Sequence, residues 1–215
     1  MPDFNLSGRV ALVTGASRGI GTAIATGLAD QGASVVLSSR KQEDLEREAA
    51  TINARGAGSA VAIAAHAGRE EDLQRLVDQT MARFGKIDIL VNNAGTNPYF
   101  GNTLDAELSA WDKTFEVNLR GYFILTKLVF RASMEKAGGA IVNIASTGGL
   151  RPSFGLGVYD VTKAGVIMLT KQLAKELGPN VRVNCIAPGL IKTRFAEALW
   201  NNPAILERYL AANPL

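Results

Sequence analysis

Thr14-Gly15-Ala16-Ser17-Arg18-Gly19-Ile20-Gly21 stands between a short apolar run, residues 9–14, and a stretch in which Ile20, Ile24 and Leu28 recur every four residues. An apolar run too short for a helix, followed by a helical period, reads as strand, turn and helix. The glycines are spaced G-x-x-x-G-x-G. They permit a tight turn and a close backbone approach to a phosphate, while the helix N-terminus behind them offers free N–H groups and the positive end of its dipole. Scattered glycines carry little weight in a chain that has 22 of them. Placed between a buried strand and an amphipathic helix, they point to a dinucleotide held by Gly15, Ser17, Arg18, Gly19, Ile20 and Gly21.

The same alternation continues outward from this loop. Residues 34–39, 59–65, 87–91, 140–145 and 181–185 are further short runs rich in Val, Ile, Leu and Ala, flanked by turn residues. They read as strands buried on both faces. Between them, Leu73, Val77 and Phe84 share one helix face, and Val166, Leu169, Leu173 and Leu177 share another. Alternation of this kind predicts one doubly wound α/β domain of Rossmann type spanning residues 1–215, a parallel sheet with helices on both sides. After the sixth strand, residues 194–201 and 203–212 are short helical candidates within a substrate-covering segment at about 189–212.

Composition narrows the function. The 215 residues carry 23 Lys and Arg against 20 Asp and Glu, a net charge of +3 without any block of one sign. The densest charged stretch, residues 40–55, mixes both signs and reads as a solvated helix face. No nucleic-acid partner is expected without a basic stripe. No apolar run approaches the ~18 residues of a membrane span, and the N-terminus lacks a leader pattern, so a soluble, cytoplasmic protein without a membrane partner is expected. The single Cys185 cannot form an internal disulfide and suits a reducing compartment; in a strand it reads as a small core hydrophobe. No Cys/His cluster offers a metal site. The only histidine, His66, lies away from any candidate nucleophile, which disfavours a hydrolase.

About 20 residues past the glycines, an acidic side chain would hold the ribose 2′-hydroxyl of NAD. Here the residues are Ser38-Ser39-Arg40-Lys41. Ser39, Arg40 and Arg18 can surround a 2′-phosphate with a hydroxyl and guanidinium forks, which favours NADP over NAD. The plainer alternative makes Arg40 simply the first exposed residue after a buried strand. Further on, Tyr159 and Lys163 lie four apart on a predicted helix and so project from one face. A neighbouring ammonium favours the phenolate and lowers the tyrosine pKa toward useful acid–base chemistry. Ser146 follows the fifth strand, at the carboxyl end of the sheet where such folds bind ligands.

With these residues in place, the sequence resembles the short-chain dehydrogenase/reductase family from about Leu6 to Leu215. The motifs that carry the resemblance are residues 14–21, Asn92-Asn93-Ala94-Gly95, Asn118 within Val117-Asn118-Leu119, Ser146, Tyr159 with Lys163, and Pro188-Gly189. Residues 38–42, Asn97-Pro98-Tyr99-Phe100-Gly101 and 187–193 are most similar to the NADP(H)-dependent carbonyl reductase and retinal reductase branch. The resemblance implies an oxidoreductase that moves a hydride between NADP(H) and a ketone, aldehyde or alcohol, and that assembles as a dimer or tetramer. It implies that Tyr159 exchanges a proton with the substrate oxygen, Ser146 donates a hydrogen bond to that oxygen, and Lys163 holds the nicotinamide ribose. Asn118 then positions a water that relays protons to Lys163. Asn93 and Ala94 line the cofactor path, and Pro188, Gly189, Ile191 and Thr193 lie over its nicotinamide end.

Two departures accompany the resemblance. The family usually has an Asp beside adenine after the third strand, whereas this chain has His66, which can hydrogen-bond adenine or serve structure alone. Relatives also continue past the position of Leu215 with a helix and a final strand beside the sixth. The 215 residues are therefore expected to be part of a longer natural chain, or a truncated form with its last strand missing. A dinucleotide-binding protein without turnover is the competing expectation; it would be favoured by loss of Ser146, Tyr159 or Lys163, and all three are present.

Overall fold

The computed structural model describes residues 4–212. Six strands form one parallel sheet: β1 (Val10–Thr14), β2 (Ser34–Ser39), β3 (Ser59–Ala64), β4 (Ile89–Asn92), β5 (Gly139–Ile144) and β6 (Val181–Ile186). Their spatial order is β3-β2-β1-β4-β5-β6, so the chain reverses direction between β1 and β4. At that switch the βα turns on either side diverge and leave a crevice at the carboxyl ends of the strands. The register, with Leu12 opposite Val36 on one side and Leu90 on the other, brings the ends of β1 and β4 level.

Alternate residues of each strand feed two separate cores, as the period of two requires. Ala11, Val13, Val35, Leu37 and Val91 meet Ala25, Ala29, Leu45 and Ile52 of helices α1 (Gly19–Asp30) and α2 (Gln42–Asn53). Leu12, Val36, Leu90, Ile141 and Val183 meet Leu73, Leu76 and Val77 of α3 (Glu70–Phe84) on the opposite face. Each fully buried Leu or Val contributes about 1.5–3 kcal/mol, so this interdigitation fixes the strand ends that carry the site. Helix α3 is also locally well specified: Glu70, Glu71 and Asp72 sit in its first turn, Arg83 in its last, and Gly85 closes it in a left-handed conformation.

The second side of the sheet is completed by a helical run that its sequence pattern conceals. Helix α4 (Leu108–Phe115) passes through a wide π-helical turn (Glu116–Arg120) into α5 (Gly121–Val129), and a second wide turn (Phe130–Met134) leads to the short α6 (Glu135–Ala137). Helix α7 (Gly157–Leu177) then crosses β5 and β6. After β6 the candidate at 194–201 is a 3-10 turn (Arg194–Ala196) followed by the short α8 (Glu197–Trp200), and the candidate at 203–212 is α9 (Pro203–Ala212).

One expectation fails. Strand β6 is not buried on both faces: Val181 and Val183 are in the core, whereas Arg182, Asn184 and Ile186 are exposed. Among the described residues it pairs with β5 alone. Helices α1 and α2 cover the other end of the sheet on that face, so nothing described reaches over β6. Cys185 is accordingly half-buried, packed beside the cluster of Tyr122, Ala145 and Val166. Among the described residues, no helix is long and apolar enough to cross a membrane.

Candidate active site

The crevice begins at the phosphate loop. Gly15 has φ +64, and a Cβ there would stand 2.9 Å from both the Cα of Ala94 and the Nδ2 of Asn93. A Cβ on Gly21 would run into the Gly15 carbonyl oxygen and lie 2.6 Å from the same Asn93 amide. These two positions need glycine because Asn93 fills the space: its Nδ2 donates to the carbonyls of Thr14 (2.9 Å) and Gly15 (3.2 Å). The Thr14 hydroxyl in turn accepts from the N–H groups of Asn93 and Ala94 at 3.0 and 3.1 Å. The β4 turn is thus laced to the glycine loop. The N-cap of α1 is Arg18, in extended backbone and with no side-chain cap. The N–H groups of the first turn are therefore left facing the crevice, which is the donor set a pyrophosphate requires.

Arg18 and Arg40 are exposed beside this loop, and among the described residues neither forms a salt bridge. Ser39 ends β2 next to them and is half-buried. Ile20 covers the loop side of α1, and Ser17 remains half-accessible. His66 closes the turn after β3. Its Nδ1 accepts from the Gly68 N–H at 3.1 Å, its Nε2 lies 3.2 Å from Lys113 Nζ, and its own N–H donates to Asp72 at 2.9 Å. Burial, followed by the Lys113 charge, pushes its pKa down. A neutral ring whose two nitrogens both face protein groups does structural work, holding the β3 turn against α4.

At the other end of the crevice, Ser146 lies two residues past β5 in extended backbone, and its Oγ accepts the Gly148 N–H at 3.1 Å. Its hydroxyl also lies close enough to Tyr159 on α7 to lower the phenol's pKa. Lys163, one turn further along, is only 2% exposed and donates from Nζ to the Ile144 carbonyl at 2.7 Å. Its ammonium lies 5.2 Å from the Tyr122 ring centre and 5.5 Å from that of Tyr159. The helical spacing thus brings Tyr159 and Lys163 together with Ser146.

The electrostatics differ from the sequence expectation in one respect. Burial pushes the Tyr159 phenol up to about 12, against the Ser146 hydrogen bond that lowers it, and Asp160 adds to the rise. Lys163 does not reverse this, because burial depresses its own pKa to about 8 and its proton is directed at the Ile144 carbonyl. The phenol therefore keeps its proton in the free protein.

Asn118 has its side-chain amide held at both ends by protein groups. Fully buried in the first π-helical turn, its Oδ1 accepts the Thr96 N–H (2.8 Å), and its Nδ2 donates to the Thr96 carbonyl (2.9 Å) and the Thr162 hydroxyl (3.2 Å). Its side chain locks the segment after β4 to α7 beside Lys163. The segment after β6 spans the crevice. The Pro188 carbonyl accepts the Thr147 N–H at 3.0 Å, and a Cβ on Gly19 would stand 3.3 Å from the methyl of Thr193. Gly189 and Ile191 are exposed between those two points. Trp200 donates from Nε1 to the Thr193 carbonyl at 2.8 Å, and Phe195 places its ring 6.0 Å from that of Tyr159.

An aromatic wall faces this segment. Phe100 and Phe154 meet edge to face at 6.2 Å, and the Gly101 N–H donates to the Gly155 carbonyl at 3.0 Å. Phe154 is 76% exposed and Phe100 44%. Sequence reasoning included Thr14 in the loop motif without its role, a hydroxyl that braces the β4 turn, and passed over Asp160, buried next to Tyr159. A hydroxyl at the end of the first strand and a carboxylate inside a helix start were the available signals.

A family model described as short chain dehydrogenase matches residues 9–204. Dehydrogenase/reductase SDR family member 4 of Sus scrofa is 46% identical over 200 residues, covering 93% of this chain and 71% of that protein. A putative short-chain alcohol dehydrogenase from Sinorhizobium meliloti superposes with a TM-score of 0.92 at 36% identity, over 99% of this chain and 84% of that one. A gluconate 5-dehydrogenase from Burkholderia cenocepacia, solved in complex with NADP and tartrate, gives a TM-score of 0.89 at 33% identity, over 94% and 79%.

Proposed function

The chain belongs to the short-chain dehydrogenase family, and we propose that within it this protein is an NADP(H)-dependent reductase of apolar ketones and aldehydes. Membership makes it an oxidoreductase that binds a nicotinamide dinucleotide and acts on CH–OH and C=O groups. The observation that carries the finer reading is the pair of unpaired guanidiniums, Arg18 and Arg40, beside Ser39 at the end of β2, where no carboxylate stands. It agrees with the NADP held by the gluconate dehydrogenase relative.

The residues present fit a dinucleotide, since the glycine loop is fixed close against the β4 turn and the N-terminus of α1 is left without a side-chain cap. Gly15, Ser17, Arg18, Gly19, Ile20 and Gly21 hold the phosphates. Ser39 and Arg40 hold the 2′-phosphate. Asn93 and Ala94 line the middle of the crevice, and Pro188, Gly189, Ile191 and Thr193 cover it. When bound, the cofactor supplies or takes up the hydride.

Tyr159 donates its phenolic proton to the substrate oxygen as negative charge grows there, and Ser146 stabilises that charge with a hydrogen bond. Lys163 holds the ribose side of the crevice and keeps a positive charge beside the phenol. Asn118 holds the segment after β4 to α7 and positions a water that relays protons to Lys163. Phe100, Phe154 and the segment at about 189–212 exclude water from the carbonyl and favour apolar substrates. A non-catalytic role is not favoured, because the full proton-transfer set is present.

Apolar surface supports the expectation of an assembly. Phe115, Leu119 and Phe123 form one apolar stripe, and Val161, Gly165, Met168 and Leu169 form another beside it; Phe123 is 49% exposed and Met168 62%. A second copy covers this face in a homodimer or tetramer, and the lone Cys185 suits the reducing cytoplasm. The test of function is NADPH consumption against a panel of diketones, quinones and aldehydes. Turnover of aromatic diketones with a preference for NADPH over NADH is expected. No consumption with any of them, or a preference for NADH, overturns the reading.

A further inference from the structure

Asp160 follows Tyr159 in the first turn of α7 and is 6% exposed. One carboxylate oxygen, Oδ2, accepts the Ser153 N–H at 2.7 Å. The other, Oδ1, is buried and has no hydrogen-bond partner among the described residues. It rests against the backbone of Gly148, where any Cβ would collide with it. Gly148 is the residue whose N–H donates to Ser146 Oγ. A single carboxylate thus touches the substrate-wall segment, the turn that carries Ser146 and the helix start that carries Tyr159.

An acidic side chain in the first helical turn is ordinarily favoured by the helix dipole, and it gains that benefit fully while exposed. Burying it with an orphaned oxygen costs stability, so helix stabilisation does not account for its position. Burial raises its pKa, opposed by the Ser153 N–H and hydroxyl. Among the described residues no cationic group forms a salt bridge with it.

We propose that Asp160 is a positioning residue for the proton-transfer step, its carboxylate tying the wall at residues 150–156 to the Ser146 turn and standing as an unneutralised charge beside Tyr159. The groups that face Tyr159 are few. Lys163 from its own helix lies over the ring, Tyr122 from α5 is a buried neutral phenol, Ser146 lowers the phenol's pKa, and Phe195 contributes an apolar ring. Asp160 is the negative charge in this set. A negative neighbour opposes loss of the phenolic proton, so Asp160 holds Tyr159 in its protonated form in the free protein. In reduction the phenol loses its proton to the substrate oxygen while hydride adds to the carbon; solvent restores the proton.

This inference rests on Tyr159 as the proton-transfer residue, and its test does not require turnover. Asp160→Asn keeps the acceptor for Ser153 and removes the charge, whereas Asp160→Ala removes both. The Tyr159 ring-carbon signal of protein carrying 13C-labelled tyrosine, assigned with Tyr159→Phe, is followed against pH. In Asp160→Asn the midpoint is expected to fall by roughly one pH unit. Exchange of the Ser153 amide hydrogen is expected to stay slow in Asp160→Asn and to speed up about tenfold or more in Asp160→Ala. Coincident midpoints for wild type and Asp160→Asn overturn the inference, as does unchanged Ser153 exchange in Asp160→Ala. Should the alanine variant fail to fold, the asparagine midpoint decides alone. A shifted midpoint in a protein that consumes no NADPH overturns the functional reading and leaves the electrostatic role of Asp160 standing.

Discussion

Around Gly15 and Gly21 the chain leaves no room for a side chain, because Asn93, Ala94 and backbone carbonyls fill every approach. Around Phe100 and Phe154, across the same crevice, two loops meet through one backbone hydrogen bond and an edge-to-face ring contact, with both rings largely exposed. The first region is held by main chain and by the core beneath it. The second is held by side chains. A phosphate site has to present fixed N–H groups to a ligand of constant shape, so its geometry is set by the fold. A substrate wall needs only apolar surface near the reacting carbonyl, so its residues can change without disturbing the sheet. Between the two stands the Ser146, Tyr159 and Lys163 group, with Lys163 buried and Ser146 and Tyr159 partly so.

If that contrast is right, damage to the glycine loop exceeds damage to the wall. Gly21→Ala forces the Gly15 carbonyl and the Asn93 amide apart. Its expected effect is a loss of dinucleotide affinity of about a hundredfold and a melting temperature lower by several degrees. Calorimetry with and without NADPH checks both, and wild-type affinity in this variant breaks the comparison. Arg40→Asp acts on an exposed side chain of the same region. It lowers the ratio of kcat/KM for NADPH over that for NADH by roughly ten- to thirtyfold while leaving stability unchanged. An unchanged ratio shows that Arg40 does not face a 2′-phosphate. Phe154→Ala has the smallest effect: KM for an aromatic diketone rises about three- to fivefold, with melting temperature and NADPH affinity at wild-type values. A fall in NADPH affinity there would show that the wall and the cofactor site are not separate.

The sheet was legible in the sequence because parallel strands covered on both sides are nearly continuous apolar runs. Residues 34–39 were read without error, and the other five strands within two residues at either end. Residues 108–137 were not legible as helix. Buried Val117, Tyr122, Ile124, Val129 and Met134 alternate with exposed Leu108 and Phe123, and each of the two π-helical turns shifts the phase of the apolar face. The misjudged face of β6 has a related cause, since its apolar content is that of a central strand while helices α1 and α2 cover only the opposite end of the sheet. At the site, the glycine loop and the Tyr159–Lys163 pair were readable because local spacing places them. Asp160 was not. Its role depends on Gly148 and Ser153 arriving from other parts of the chain, and spacing carries no trace of that.

The central claim is that Tyr159 passes the proton while the rest of the crevice holds the cofactor independently. Tyr159→Phe removes one hydroxyl and keeps the ring against Phe195 and beneath Lys163. NADPH consumption at saturating aromatic diketone, measured beside NADPH binding by fluorescence in the same samples, separates the two roles. The account predicts a fall in kcat of about a thousandfold or more with NADPH affinity within twofold of wild type. A variant that retains most of its turnover, or one that loses turnover only because it no longer binds NADPH, contradicts it.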